Sequence, residues 1–255
     1  MAKAGSGGNR VSCKECEMFT LCQPLKLGDM DMDLTKHMLK PCEPIERDDT
    51  LFRNGSSFSS IYAVCSGSFK LTVPASDDQD RVIDFRFPGE LLGMGAIHSG
   101  RHCSDAVAME DCTVCELPFQ VLNEFGMQIP MLQARMIELM SQELAQRQRM
   151  LVLLMGLKSS DERIAAFLLG VSLRFKAHGR SSHSFKLAMS RTDIASYLGL
   201  AKETVSRVLV SFQRDGILQL SGKNIEITDI SELATRASAV DCVVNSVSPS
   251  CSLEQ

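Results

Sequence analysis

Residues 131 to 155 read MLQARMIELMSQELAQRQRMLVLLM. Within them Ile137, Met140, Leu144, Arg147, Leu151 and Leu154 recur at alternating spacings of three and four. This is the a/d seam of a two-stranded coiled coil, so the segment predicts a long helix that pairs with a second copy of itself. Pro130 opens the helix and Gly156 sits just past its end, the usual asymmetry of helix punctuation. One seam position, Arg147, is charged. What lies on either side of the helix differs in character: strands and cysteines before it, short amphipathic helices after it.

The whole chain has 255 residues, 44% hydrophobic and 23% charged, which suits two modest domains with their own cores. The N-terminal MAKAGSGGNR lacks the apolar core of a signal peptide, and no run approaches the ~18 apolar residues that span a bilayer. A cytoplasmic protein is expected. In a reducing compartment the ten cysteines do not form a disulfide framework, so the clustered ones point to metal or redox chemistry.

Upstream of the helix, Cys13, Cys16 and Cys22 form a C-x2-C-x5-C array in which short loops let three thiolates converge on one soft metal centre. Zinc and a [4Fe-4S] cluster both want four ligands, so a fourth must come from elsewhere. Cys42, Cys65 and Cys103 read as small core or surface residues, and Cys242 and Cys251 fall in a Ser-rich tail. From about residue 30 to 126 the pattern is short strands. Ile61, Ala63 and Cys65 alternate with Tyr62 and Val64, a turn follows at Ser66-Gly67, and Phe69, Leu71 and Val73 resume the alternation, which predicts a hairpin. Ile83, Phe85 and Phe87 alternate before Pro88-Gly89-Glu90, and Val107 to Leu117 reads as one further strand. Strands of this spacing, broken by Gly and Pro, predict a small barrel or roll.

Downstream, Ser160 caps a new amphipathic helix with an acidic first turn. Arg191 to Leu209 then carries a helix-turn-helix pattern: Ala195 is small where helices cross, Gly199 permits the turn, and Val205 packs the second helix back. Lys202 to Arg214 is the expected recognition helix. Glu203, Ser206 and Arg207 share one face of it, where arginine can pair with guanine and a carboxylate can accept from a cytosine amine. Residues 216–228 read as strand, turn and strand, a wing. Between Lys186 and Lys223, six basic residues face three acidic ones, a local +3 in a chain of net charge −4.

Over about residues 13 to 230 the chain resembles the CRP/FNR family of bacterial transcription regulators. The resemblance rests on residues 61–70 (IYAVCSGSFK), 88–91 (PGEL), 161–168 (DERIAAFL) and the Glu203-x-x-Ser206-Arg207 face. The oxygen-responsive FNR branch is the better match, because its cysteine array looks like Cys13, Cys16 and Cys22, and its fourth ligand lies in a segment similar to Val114-Cys115-Glu116-Leu117-Pro118-Phe119. The resemblance implies a [4Fe-4S] cluster on Cys13, Cys16, Cys22 and Cys115 that promotes dimerisation and DNA binding and is degraded by oxygen. It also implies that Leu21 shields the cluster, that RNA polymerase is a partner, and that Arg207, Glu203 and Ser206 read palindromic TTGAT-like half-sites. Cys112 rivals Cys115, but three residues along a strand it should face the other way.

The expected architecture is α+β. A flexible leader with the cysteine segment (1–28) precedes a β-roll of the cyclic-nucleotide-binding kind (29–126). A dimerisation helix (127–157), a winged helix-turn-helix (158–240) and a disordered tail (241–255) follow. The expected function is control of anaerobic gene expression by a homodimer that is not an enzyme. A cyclic-nucleotide-responsive regulator is one alternative, with Glu90 and Arg101 as the ribose and phosphate contacts, although His102-Cys103-Ser104 departs from the phosphate-binding turn of that branch. A zinc-stabilised regulator is another. An enzyme is the third, but none of the five histidines, His98 and His102 included, shows facial-triad spacing. In this frame Arg147 makes dimerisation conditional, since like charges meeting across a parallel seam weaken it. The FNR branch carries an acidic residue there, so the sign differs and the self-repulsion is kept. The simpler alternative is that Arg147 turns to solvent or pairs with Glu143.

Overall fold

The computed structural model describes residues 44–75, 80–128, 130–156 and 159–237. Cys13, Cys16, Leu21, Cys22 and Cys42, together with the 241–255 tail, lie outside the described residues. The described residues form two compact units that divide between Gln142 and Glu143. Among the described residues no helix is long and apolar enough to cross a membrane.

The first unit is a roll of two four-stranded sheets. One has the order β1 (Pro44–Ile45), β8 (Cys112–Pro118), β3 (Ser60–Ser66), β6 (Leu91–Leu92). The other has the order β2 (Thr50–Phe52), β7 (Asp105–Ala108), β4 (Phe69–Val73), β5 (Arg81–Arg86). Alternation along β3 divides its side chains between two cores, as a period of two requires. Val64 joins Phe69, Leu71, Leu92, Ala106, Ala108 and Val114 between the sheets. Ile61 and Ala63 turn the other way, onto Leu122 of helix α1 (Phe119–Gln128) and Leu132 and Leu139 of helix α2 (Pro130–Gly156).

Three expectations about this unit need correction. The segments on either side of Gly67 do not form a hairpin, because β3 pairs with β6 and β8 whereas β4 pairs with β5 and β7. Ser66 to Ser68 is instead the corner where the chain changes sheets. Gly67 has φ +76°, and a Cβ there would lie 2.7 Å from the Asp111 carbonyl oxygen, so only glycine fits. The single strand expected over 107–117 is two strands in different sheets, broken at Met109 to Asp111. Finally, the register jumps from Leu71↔Asp84 to Thr72↔Val82, so Ile83 is an extra, outward-facing residue and the Ile83/Phe85 alternation changes phase at a bulge.

The long helix forms as its pattern demands, with Gly156 as its last residue, and α1 precedes it where strand-rich chain was expected. In the second unit, α3 (Ser160–Ala177) begins one residue later than its cap. Ser159, not Ser160, accepts from the Glu162 N–H, and the Glu162 carboxylate accepts from the Ser159 N–H, a reciprocal capping box. Helices α4 (Arg191–Leu198) and α5 (Lys202–Arg214) follow, then β10 (Leu218–Ser221) and β11 (Asn224–Ile227), with α6 (Ile230–Arg236) closing the unit. A third strand, β9 (Ser184–Lys186), pairs with β11, so the wing is a three-stranded sheet.

Candidate functional site

Three surfaces carry the chemistry that the sequence points to. The first is β8, where Cys112 and Cys115 are three residues apart. Cys112 turns into the core between the sheets and its Sγ donates to the Glu110 and Ser68 carbonyl oxygens. Burial pushes the Cys112 thiol up to about 12, so it stays protonated and is a poor metal ligand. Cys115 lies opposite Ala63 and is half-buried on the other face, packed against the core that includes Leu132 and Leu139. The two thiols therefore face opposite ways along the strand. Among the described residues no three His, Cys, Asp or Glu side chains gather as a metal site.

The second surface is the outer stripe of α2. Leu132 and Leu139 are buried against the roll, whereas Ile137 is 68% exposed, Leu144 and Leu151 each 58%, and Met140 37%. These four belong to the predicted seam and are uncovered in a single chain; the Leu154 side chain lies outside the described residues. An apolar row this regular and this exposed fits a partner helix. Arg147 is not a bare charge in this row. Its Nε donates to Glu143 Oε1 at 2.9 Å, one helical turn earlier in the same chain.

The third surface is the helix-turn-helix. Ser190 caps α4 by accepting from the Asp193 N–H, and Asp193 answers with a bond from the Ser190 N–H. Gly199 ends the helix in the left-handed region at φ 64°, with its N–H on the Ala195 carbonyl, and the chain reverses into α5. Ile194, Ala195 and Leu198 of α4 and Val205, Val208, Leu209 and Phe212 of α5 are buried between the helices and their neighbours. This fixes the opposite face of α5 outward: Glu203 and Arg207 are exposed and Ser206 is half-buried. Ser206, Arg207, Val210, Ser211 and Arg214, with Asp161 from α3, line an open groove of about 550 Å³.

The groups considered for a nucleotide are used by the chain itself. Glu90 is buried, with Oε2 accepting from the Phe87 N–H across the Pro88-Gly89 turn, and Arg101 donates from Nη1 to the Gly55 carbonyl oxygen at 2.7 Å. His102 lies in the loop before β7, yet it does not face solvent. It is buried, stacked on Phe52 at 3.8 Å and edge-on to Phe58, and desolvation holds its imidazole below the ordinary histidine value. Sequence reasoning missed this aromatic stack, because Phe52, Phe58 and His102 come from separate loops and strands.

Residues 42–128 match the cyclic nucleotide-binding domain family and residues 162–236 the Crp-like helix-turn-helix domain family. The chain is 40% identical over 229 residues to the transcriptional activator protein Anr of Pseudomonas protegens, covering 90% of this chain and 93% of that protein. It is 38% identical over 232 residues to the fumarate and nitrate reduction regulatory protein of Salmonella typhimurium, covering 91% and 92%. The structure of FixK2 from Bradyrhizobium japonicum is similar with a TM-score of 0.70 at 26% identity, covering 78% of this chain and 98% of that one.

Proposed function

The chain belongs to the CRP/FNR family of transcription regulators, and on that premise we propose that it is an oxygen-responsive regulator of anaerobic gene expression. It works in the cytoplasm as a homodimer on DNA, with RNA polymerase as its partner at the promoter, and not as an enzyme. Cys13, Cys16, Cys22 and Cys115 would hold a [4Fe-4S] cluster, which when bound supplies an oxygen-labile tie between the N-terminal segment and β8. An all-thiolate donor set suits such a centre. The half-buried Cys115, on the face of β8 away from the inter-sheet core, suits the fourth position, whereas Cys112 is a structural thiol of the roll.

The observation that carries this reading is the shared face of β8 and α2. Cys115 packs against the same core as Leu132, Leu139 and Met136, so a restraint on Cys115 acts on the root of the helix whose far face is the exposed seam. Ile137, Met140, Leu144, Leu151 and Leu154 form the dimer contact, with the Arg147–Glu143 pair marking its polar point. Two recognition helices related by two-fold symmetry then meet half-sites one helical turn apart. Arg207 reads the guanine of a TTGAT-like half-site, Glu203 its opposing cytosine and Ser206 the neighbouring pair.

A mobility-shift assay on a duplex with two such half-sites tests this. Anaerobically purified protein is expected to prefer it over a scrambled duplex, and to lose that preference after air. Specific binding that air leaves unchanged would overturn the oxygen-responsive reading.

A further inference from the structure

Val210 lies in the middle of the outward face of α5. Positions 203, 207, 210 and 214 follow steps of four, three and four, so Val210 shares a face with Glu203 and Arg207 and is flanked by Arg207 and Arg214. It is 63% exposed, and among the described residues from 159 to 237 it is the one large hydrophobic side chain left so. Its helix has enough apolar residues to pack without it, since Val205, Val208, Leu209 and Phe212 are buried on the opposite side. A branched side chain with one dominant rotamer loses little freedom when it is covered. The arginines on either side favour a polyanion as the cover. Within the major groove the only apolar group a base presents is the thymine C5-methyl.

We propose that Val210 is a further specificity-determining residue, packing its isopropyl group on a thymine methyl one helical turn beyond the pairs met by Ser206 and Arg207. This rests on the assignment of α5 as the DNA-reading helix.

The test replaces each thymine of the palindromic TTGAT duplex, on either strand, with deoxyuridine, which removes only the methyl group. Binding is measured for the full-length anaerobic protein and for Val210→Ala. At one thymine position, replacement is expected to weaken wild-type binding about fourfold per half-site, the size expected from shielding one methyl group, and to leave Val210→Ala unaffected. Identical deoxyuridine profiles for the two proteins would overturn the Val210 contact while leaving the helix assignment intact. Wild-type protein that prefers the palindrome no more than a scrambled duplex would remove the helix assignment, and the contact with it. Unchanged DNA binding by Val210→Ala with loss of transcription would put a protein at this position and also overturn the proposal.

Discussion

Arg147→Leu probes how the seam is set. In the chain Arg147 pairs with Glu143 while remaining half-exposed, and an i,i+4 pair in that setting contributes only about 0.3–0.5 kcal/mol. Its loss therefore barely alters the single chain. Leucine at 147 would instead extend the row formed by Leu144 and Leu151, each 58% exposed before association. Full burial of a leucine side chain contributes about 1.5–3 kcal/mol, and covering that same fraction on both copies adds about 2–3.5 kcal/mol to the dimer. The dimer should form roughly 30- to 400-fold more tightly. Sedimentation of air-exposed, cluster-free protein across the micromolar range reads this directly, with the variant dimeric at concentrations where wild type is monomeric. Glu143→Gln should move the constant the other way, because it strips Arg147 of its partner and brings two uncompensated charges together. An air-exposed Arg147→Leu protein with the wild-type dimer constant would refute the seam and its conditional character.

The cysteines separate in the same preparation: Cys115→Ala should lose the cluster absorption, whereas Cys112→Ala should keep it and melt at lower temperature, since it removes a buried core side chain. A full cluster in Cys115→Ala, read by visible absorption and iron content, would reassign the ligand. Arg207→Ala should cost about 1–3 kcal/mol on the cognate duplex and relax discrimination at the guanine; equal weakening on every duplex would make Arg207 a phosphate contact. His102 sets a pH dependence of the roll. Its folded value lies below the unfolded 6.5, so its contribution is complete above about pH 6.5 and is lost as pH falls from there toward the folded value. Thermal melts at pH 7.5 and 5.5 should show a loss in wild type that His102→Phe, which keeps the stack on Phe52, does not share.

Much of this was legible in the sequence where the signal is local and periodic. The helix α2 with its exposed apolar row, the Gly199 turn and the bounds of α5 follow from spacing and from residues whose backbone preferences are strong. The sequence also placed Cys112 and Cys115 on opposite faces of a strand. What it hid were pairings decided at long range. Gly67 looks like a hairpin turn because two alternating runs flank it, yet the approach of Asp111 from the break between β7 and β8 makes it a corner. Ile83 has the composition of an inward residue and is turned out by a bulge whose other half is at Leu71 and Thr72. β9 has three residues and no period long enough to read, and it is a strand because β11 offers it an edge. The Arg147–Glu143 pair, by contrast, is one helical turn apart and was among the readings the sequence offered.

The central claim, that oxygen acts through the cysteines on the seam of α2, is tested most directly by one paired measurement. Anaerobically purified protein is examined by visible absorption and sedimentation, then again after exposure to air. A brown dimer that bleaches and dissociates is the predicted result, whereas a colourless protein, or a dimer unchanged by bleaching, would contradict it.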